Sequence, residues 1–365
     1  MTTSDERIRL ARPALDALEN KAISAVLESG MLVSGKMVER FEDAVRARCG
    51  RAHAVAVGSG TAALILAMRA LDLASTEVLV PALTWPSPAH AITVLGGRAR
   101  LADVDAATWN GSAATFASAR TAETRGVVAI DQFGVPADHE AIAGLGLPII
   151  EDAACAIGSS RNGKAAGSFG AISTLSFHPR KVITTGEGGM CLTDDAELAR
   201  RLRAMRNHGQ SIPGTFILAS GNDRLTEMQA AMGLVQMEKL EEIITRRREI
   251  AAHYRGALAS SGLIFQAHEG AETNEQTMGA LVPAAWSSEQ RDQLLVAMNE
   301  AGVECGKLSY DLTTLVSLPG PHVDATHTRS IVAHGFALPL HTFMSDADVE
   351  RVITTLKRTL LGESA

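Results

Sequence analysis

Between residues 54 and 192 the chain alternates short apolar runs with longer stretches in which apolar positions recur every three or four residues. The short runs fall at 54–57, 78–80, 98–101, 126–130, 148–151, 173–176 and 189–192. Their length and the Gly, Pro and Asp residues that bound them predict seven strands. Helical segments between strands predict an α/β fold with a mostly parallel sheet covered on both faces, since each parallel connection must cross the sheet. Ligands on such sheets collect beyond the carboxyl ends of the strands. The residues just after each run are therefore the candidates for chemistry.

Outside this block the period is helical. Residues 8–30 begin Ile8-Arg9-Leu10-Ala11-Arg12-Pro13 and continue with Leu15, Leu18, Ile23, Val26 and Leu27 on one face, which predicts an arm ahead of the main domain. A second helix carries Val38, Phe41, Val45 and Cys49 for packing. After residue 195 the chain is helical and charged, and the long helix through Glu241-Glu242-Ile243-Ile244-Thr245-Arg246-Arg247-Arg248 reads as a solvated connector. Helical patterns at Ser288–Met298 and Ser345–Leu360 predict a smaller α+β domain beyond it. The expected division is an arm over 1–30, a large domain over 31–250 and a small domain over 251–365.

Several polar residues follow the predicted strands. Gly58-Ser59-Gly60-Thr61-Ala62-Ala63-Leu64 opens a helix with small residues, and free amides at a helix N-terminus with the Thr61 hydroxyl make a phosphate seat; an ordinary cap is the alternative. Trp85 lies in the loop Pro81-Ala82-Leu83-Thr84-Trp85-Pro86, free to stack on a planar ring unless it packs in the core. Asp103-Val104-Asp105 serves to turn the chain, and Asp131-Gln132-Phe133-Gly134-Val135-Pro136 forms another polar loop. Asp152 ends a buried apolar run in Glu151-Asp152-Ala153-Ala154-Cys155. A carboxylate there is costly without a cationic partner, which a protonated pyridine nitrogen would supply; capping the next helix is the other role open to it.

The centre of the pattern is Ser173-Thr174-Leu175-Ser176-Phe177-His178-Pro179-Arg180-Lys181, followed by Gly186-Glu187-Gly188-Gly189-Met190. A strand ends on a hydroxyl, a Pro turn follows, and one lysine precedes a glycine turn. A lysine so placed suits a Schiff base to an aldehyde cofactor, because desolvation favours its neutral amine. Taken alone it also reads as a solvated surface lysine.

Composition narrows these choices. With 365 residues, 46% hydrophobic and 21% charged, the chain can bury the core of about two domains. A formal charge of -7 and no basic block denser than Arg246-Arg247-Arg248 argue against nucleic acid, so a phosphate is gripped by amides and hydroxyls. Cys49, Cys155, Cys191 and Cys305 lie far apart, which predicts reduced thiols in a cytoplasm. His322, His327, His334 and His341 are spaced too loosely for a metal motif. The polar start and the lack of any membrane-length apolar stretch predict a cytoplasmic protein with no membrane partner.

Gly58 to Leu64, Pro81 to Trp85, Glu151 to Ala154, Gly167-Ser168-Phe169-Gly170, Ser176 to Lys181 and Gly186 to Met190, in this order, resemble the DegT/StrS-type sugar aminotransferases, of the fold type I pyridoxal-phosphate superfamily. The resemblance runs from Ile8 to about residue 260 and weakly to the end. It implies a large seven-stranded domain plus a smaller one, with pyridoxal 5'-phosphate as cofactor and pyridoxamine 5'-phosphate as its aminated form. Lys181 matches the Schiff-base lysine, Asp152 the partner of the pyridine nitrogen and Trp85 the aromatic over the ring. Gly60, Thr61 and Ser176 match the phosphate cradle, and Cys155 stands where many relatives carry Gln or His beside the phenolic oxygen. Asn222 and Arg224 match a segment that reaches a partner's cofactor, which implies a homodimer with shared active sites.

The implied reaction moves an amino group from an amino acid donor, glutamate in most of the family, to a keto-sugar that is nucleotide-linked. A cyclitol or another small ketone is an alternative acceptor. A pyridoxamine-dependent sugar dehydratase is a rival on the same scaffold, though such relatives replace the lysine by histidine. A cofactor-binding regulatory protein is the non-enzymatic alternative, and the retention of both Lys181 and Asp152 counts against it.

Overall fold

All seven apolar runs enter one sheet of the computed structural model, which describes residues 7–33, 35–318 and 323–361. The strands are β1 (His53–Val57), β2 (Glu77–Pro81), β3 (Arg98–Ala102), β4 (Thr124–Ile130), β5 (Ile149–Asp152), β6 (Ile172–Ser176) and β7 (Gly189–Thr193). Their order is β1-β7-β6-β5-β4-β2-β3. Only β7 runs against the others, pairing antiparallel with both β1 and β6. In register, Ile130 lies beside Asp152 and Asp152 beside Thr174, so the ends of β4, β5 and β6 form one continuous edge.

The helices are α1 (Ala17–Ser29), α2 (Lys36–Cys49), α3 (Gly60–Ala70), α4 (Ser87–Val94), α5 (Ala113–Ala119), α6 (His139–Ala143), α7 (Ala196–Arg206), α8 (Glu227–Ala257), α9 (Ser288–Glu300), α10 (Thr326–His334) and α11 (Asp346–Leu360). Alternation along β1 shows why the runs are apolar throughout. Val55 and Val57 pack with Leu64, Leu66 and Leu202 of α3 and α7, whereas Ala54 and Ala56 face Phe41, Leu240 and Ile243 of α2 and α8. A strand buried on both faces has no polar side to show.

A second sheet follows: β8 (Ile264–Phe265), β9 (Met278–Leu281), β10 (Gly306–Lys307) and β11 (Gly335–Leu338), in the antiparallel order β8-β9-β11-β10. It shares a core with α9, α11 and the end of α8, built on Tyr254, Met298, Phe336 and Val352.

Two expectations change. The helix of the N-terminal arm begins only at Ala17, where Asp16 and Glu19 form a reciprocal cap. Before it, Ile8 is extended and pairs with the backbone of Gly302 and Glu304, far along the chain. Val26 is buried and Ile23 partly so, but Leu15, Leu18 and Leu27 are exposed, so only part of the predicted apolar face is covered within this chain. The long helix is not a solvated connector either. Leu240, Ile243, Ile244, Ile250 and Tyr254 are buried, and so is Arg247, whose guanidinium donates to the carbonyls of Glu275, Gln276 and Leu340. A helix enclosed on several sides loses its one-faced pattern, and a buried arginine looks like a surface one in sequence. No described helix is long and apolar enough to cross a membrane.

Candidate active site

Lys181 is presented by a loop tied shut at its base. The Phe177 amide donates to Gly188 O at 2.9 Å, the Thr185 amide to Phe177 O at 3.0 Å and the Thr184 hydroxyl to the same carbonyl at 2.8 Å. Within it the Lys181 amide closes a turn on His178 O, and Gly186 takes the left-handed conformation, φ 83°, that a glycine adopts without strain. The Lys181 ammonium donates to Cys155 Sγ at 3.1 Å.

Burial pulls the Lys181 pKa down, as desolvation predicts, but the Cys155 sulfur and the Asp152 carboxylate more than offset it and leave the group above its ordinary value. The protein alone therefore holds Lys181 charged, contrary to the neutral amine expected from burial. Asp152, at the end of β5, is pushed above the ordinary carboxylate range by burial, against the pull of Lys181 and the Ala154 amide it accepts at 3.1 Å. A buried acid held this way favours a cationic partner in front of it.

The third part is the start of α3. Ser59 caps it by accepting the Ala62 amide at 3.1 Å, while the amides of Gly60 and Thr61 make no hydrogen bond among the described residues. A Cβ on Gly60 would lie 2.8 Å from Ser176 Cβ, and one on Gly189 would lie 2.3 Å from Ser59 O. Glycine at both places lets the helix N-terminus close on the end of β6. Thr61 Oγ1 and Ser87 Oγ, on α3 and α4, are 2.6 Å apart. Three hydroxyls, of Thr61, Ser87 and Ser176, thus accompany two open amides at the positive end of a helix, which is the chemistry of a phosphate cradle.

Trp85 is 61% exposed and meets Tyr310 edge to face at 5.3 Å, so core packing does not explain it. Asn222 and Arg224 stand apart from Lys181 and Asp152. They flank the end of β1, where the Gly58 amide donates to Asp223 O at 2.9 Å and Arg224 Nη1 to Asn207 Oδ1 at 2.8 Å. Arg224 Nε is buried without a hydrogen-bond partner. His327, His334 and His341 each have separate surroundings, and His322 lies outside the described residues. The four cysteines are free thiols.

Some of the machinery has no sequence signal of its own. Glu151, next to Asp152, is fully buried and accepts from the amides of Gly167 and Phe169 at 2.7 and 2.8 Å and from Ser173 Oγ at 2.6 Å. The Gly167-Ser168-Phe169-Gly170 motif is thereby explained as a backbone cradle for that carboxylate. Behind it Asp131 Oδ1 and His139 Nε2 share a hydrogen bond of 2.7 Å, and the His139 ring stacks on Phe169. Burial raises Asp131 to about 8 and Glu151 to about 7, each also raised by a neighbouring carboxylate, and lowers His139. Nothing in a polar loop and a short helix start announced that Asp131 and His139 would meet behind Glu151.

The residues fit pyridoxal phosphate: an amine that can take its aldehyde, a buried acid for its ring nitrogen, and a cradle at Gly60 and Ser176 that a larger side chain would fill.

Residues 13–357 match the model of the DegT/DnrJ/EryC1/StrS aminotransferase family. The chain is 32% identical over 369 residues to the GDP-perosamine synthase of Caulobacter vibrioides, covering 97% of this chain and 99% of that one. Among solved structures it resembles the aminotransferase TlmJ from Streptoalloteichus hindustanus, with 31% identity, a TM-score of 0.91 and coverage of 97% and 99% of the two chains. It also resembles S. venezuelae DesV, solved in complex with a ketimine intermediate, with 28% identity, a TM-score of 0.90 and coverage of 97% and 98%.

Proposed function

The chain belongs to the DegT/DnrJ/EryC1/StrS aminotransferase family, whose members use pyridoxal phosphate, and from that premise we propose that it moves an amino group from an amino acid to a nucleotide-linked keto-sugar. Support for the acceptor comes from the relatives, one of which is a GDP-perosamine synthase. The observation that carries the reading is the convergence of Lys181 Nζ, the Asp152 carboxylate and the Gly60–Ser176 cradle at one sheet edge.

When bound, pyridoxal phosphate supplies the carbonyl that exchanges the amino group and a ring that withdraws electrons from the reacting carbon. Asp152 holds the proton on the ring nitrogen, and its charge is kept for that partner by the exclusion of water. Lys181 Nζ holds the cofactor at rest and, once displaced, carries the proton at the reacting carbon. Gly60, Thr61 and Ser176 bind phosphate, Trp85 covers the ring, and Cys155, beside Lys181, takes the phenolic side. Asn222 and Arg224 reach the cofactor of a second copy, so the working form is a homodimer, with sedimentation at twice the chain mass as the expected outcome. We place the arm at residues 1–30 and the change from the large to the small domain near residue 250, within α8.

Borohydride reduction of the protein loaded with pyridoxal phosphate tests the assignment. The tag is expected on Lys181 alone, and Lys181→Ala is expected to lose both the tag and turnover while keeping its fold. A tag on another lysine, or full activity in that variant, overturns the assignment.

A further inference from the structure

The side-chain hydrogen bond that Lys181 makes among the described residues goes to Cys155 Sγ, at 3.1 Å. The sulfur is held there by its own backbone. Asn274 Nδ2 donates to the carbonyls of Cys155 and Ile157, each at 2.9 Å, and so fixes the turn after β5. Cys155 differs from the other cysteines. Cys49, Cys191 and Cys305 are buried, and burial pushes each thiol up to about 12. Cys155 is half-buried and faces an ammonium, and a cation beside a thiol favours the thiolate.

The remaining charges near the pair act in one direction. Lys181 lines a cavity of about 150 Å³ whose lining also holds Arg12, Arg180, Arg247 and Lys307 and no carboxylate. Cys155 is not part of that lining, so these cations bear more on Nζ than on sulfur and favour passage of a proton from one to the other. Other bases are engaged. His178, on the same loop as Lys181, accepts the Arg180 amide at Nδ1 at 3.1 Å, and Asp152 accepts the Ala154 amide and is needed opposite the ring nitrogen.

We propose that Cys155 is a catalytic residue, which holds Lys181 in an ammonium–thiolate pair before the cofactor binds and takes the Nζ proton when the lysine attaches it. The proposal rests on the pyridoxal phosphate reading and names the base for its first step. As Nζ bonds to the aldehyde carbon, one of its three protons passes to Sγ and the other two leave with the aldehyde oxygen as water. The charges of the pair cancel, and no proton is exchanged with solvent.

The test uses the full chain freed of cofactor with hydroxylamine. Attachment of pyridoxal phosphate is followed by stopped-flow absorbance from mildly acidic to alkaline pH, in the unaltered protein and in Cys155→Ser. In the variant the Nζ proton has to go to solvent, so its rate divided by that of the unaltered protein is expected to rise about tenfold per pH unit while its Lys181 stays protonated. Taking the ratio removes the cofactor's own ionisations, and a merely structural role for Cys155 would shift the ratio without giving it a slope. A ratio flat across the whole range overturns the proposal. A second measurement needs no variant: the far-ultraviolet absorbance of the unaltered, cofactor-free protein is expected to show one thiolate per chain at neutral pH, lost on acidification, and its absence also overturns the proposal. Lys181 tagged by borohydride in both proteins, with a flat ratio or no thiolate, sinks only this inference, whereas an untagged Lys181 sinks the functional reading and this inference with it.

Discussion

Lys181 and Asp152 show how far a single residue's surroundings decide its chemistry. Burial alone would make the lysine a neutral amine, yet Cys155 and Asp152 outweigh it, so the role proposed for Lys181 requires loss of a proton from Nζ when the cofactor attaches. Cys155, a departure from the Gln or His of many relatives, touches the lysine itself rather than only a distant edge of the site. Asp152 is the opposite case, an acid whose charge burial resists and which a pyridinium would restore. Asp152→Asn keeps the side-chain size and removes that charge. Its turnover is expected to fall by about a hundredfold or more, with a thermal midpoint no lower than that of the unaltered protein, read by steady-state amino transfer beside thermal denaturation. Unchanged turnover would show that the carboxylate does not face the ring.

At the scale of elements, the site depends on helix termini being closed by distant groups. The carboxylate of Glu227, 4% exposed at the start of α8, accepts the amides of Gly35, Met37 and Val38 at 2.8, 3.0 and 2.9 Å and so caps α2 from another helix. A Cβ on Gly35 would lie 2.9 Å from Glu227 Oε2, so a larger residue there would have to push the capping carboxylate aside. α2 and α8 in turn cover the sheet face opposite α3. Glu227→Ala leaves three amides without an acceptor, at a cost of about 3 kcal/mol. A lower urea midpoint with an unaltered slope is the expected reading, and an unshifted midpoint would mean that water replaces the carboxylate freely. This cap was invisible in sequence because Met37 and Glu227, donor and acceptor, lie 190 residues apart.

Across the whole molecule, α8 joins the two sheets: Leu240 and Ile243 belong to the core of the large sheet, Ile250 and Tyr254 to that of the small one. Global stability should carry the mark of the buried Asp131–His139–Glu151 group. In the folded state Asp131 and Glu151 keep protons that the unfolded chain releases above the ordinary carboxylate range, so stability falls as pH rises toward about 8 and about 7 respectively. His139, held neutral, works the other way, but only below its ordinary value of 6.5, where unfolding takes up a proton. Between pH 6.5 and 8 the acids act alone, and stability should drop by about 1.4 kcal/mol per pH unit for each proton involved. Chemical denaturation across that range should show the fall, and Asp131→Asn should flatten it. An identical slope in the variant would mean that Asp131 is ionised in the folded protein.

Local pattern was enough for the strands, because a strand buried on both faces must be apolar along its whole length, and for α2, whose Val38, Phe41, Val45 and Cys49 all enter the core. That the small residues, the acid and the lysine follow strand ends was also legible, since polar loops of a parallel sheet begin where its strands stop, and neighbouring ends of β5 and β6 bring Asp152 and Ser176 to one edge. Tertiary structure alone decided the rest. The arm's extended pairing with residues 302–304, the burial of Arg247, the Glu227 cap and the meeting of Asp131 with His139 behind Glu151 join groups whose nearest sequence neighbours say nothing of one another. Hydrophobic periodicity reports which face a segment buries, but the charge state and partner of a polar side chain depend on what the fold brings beside it.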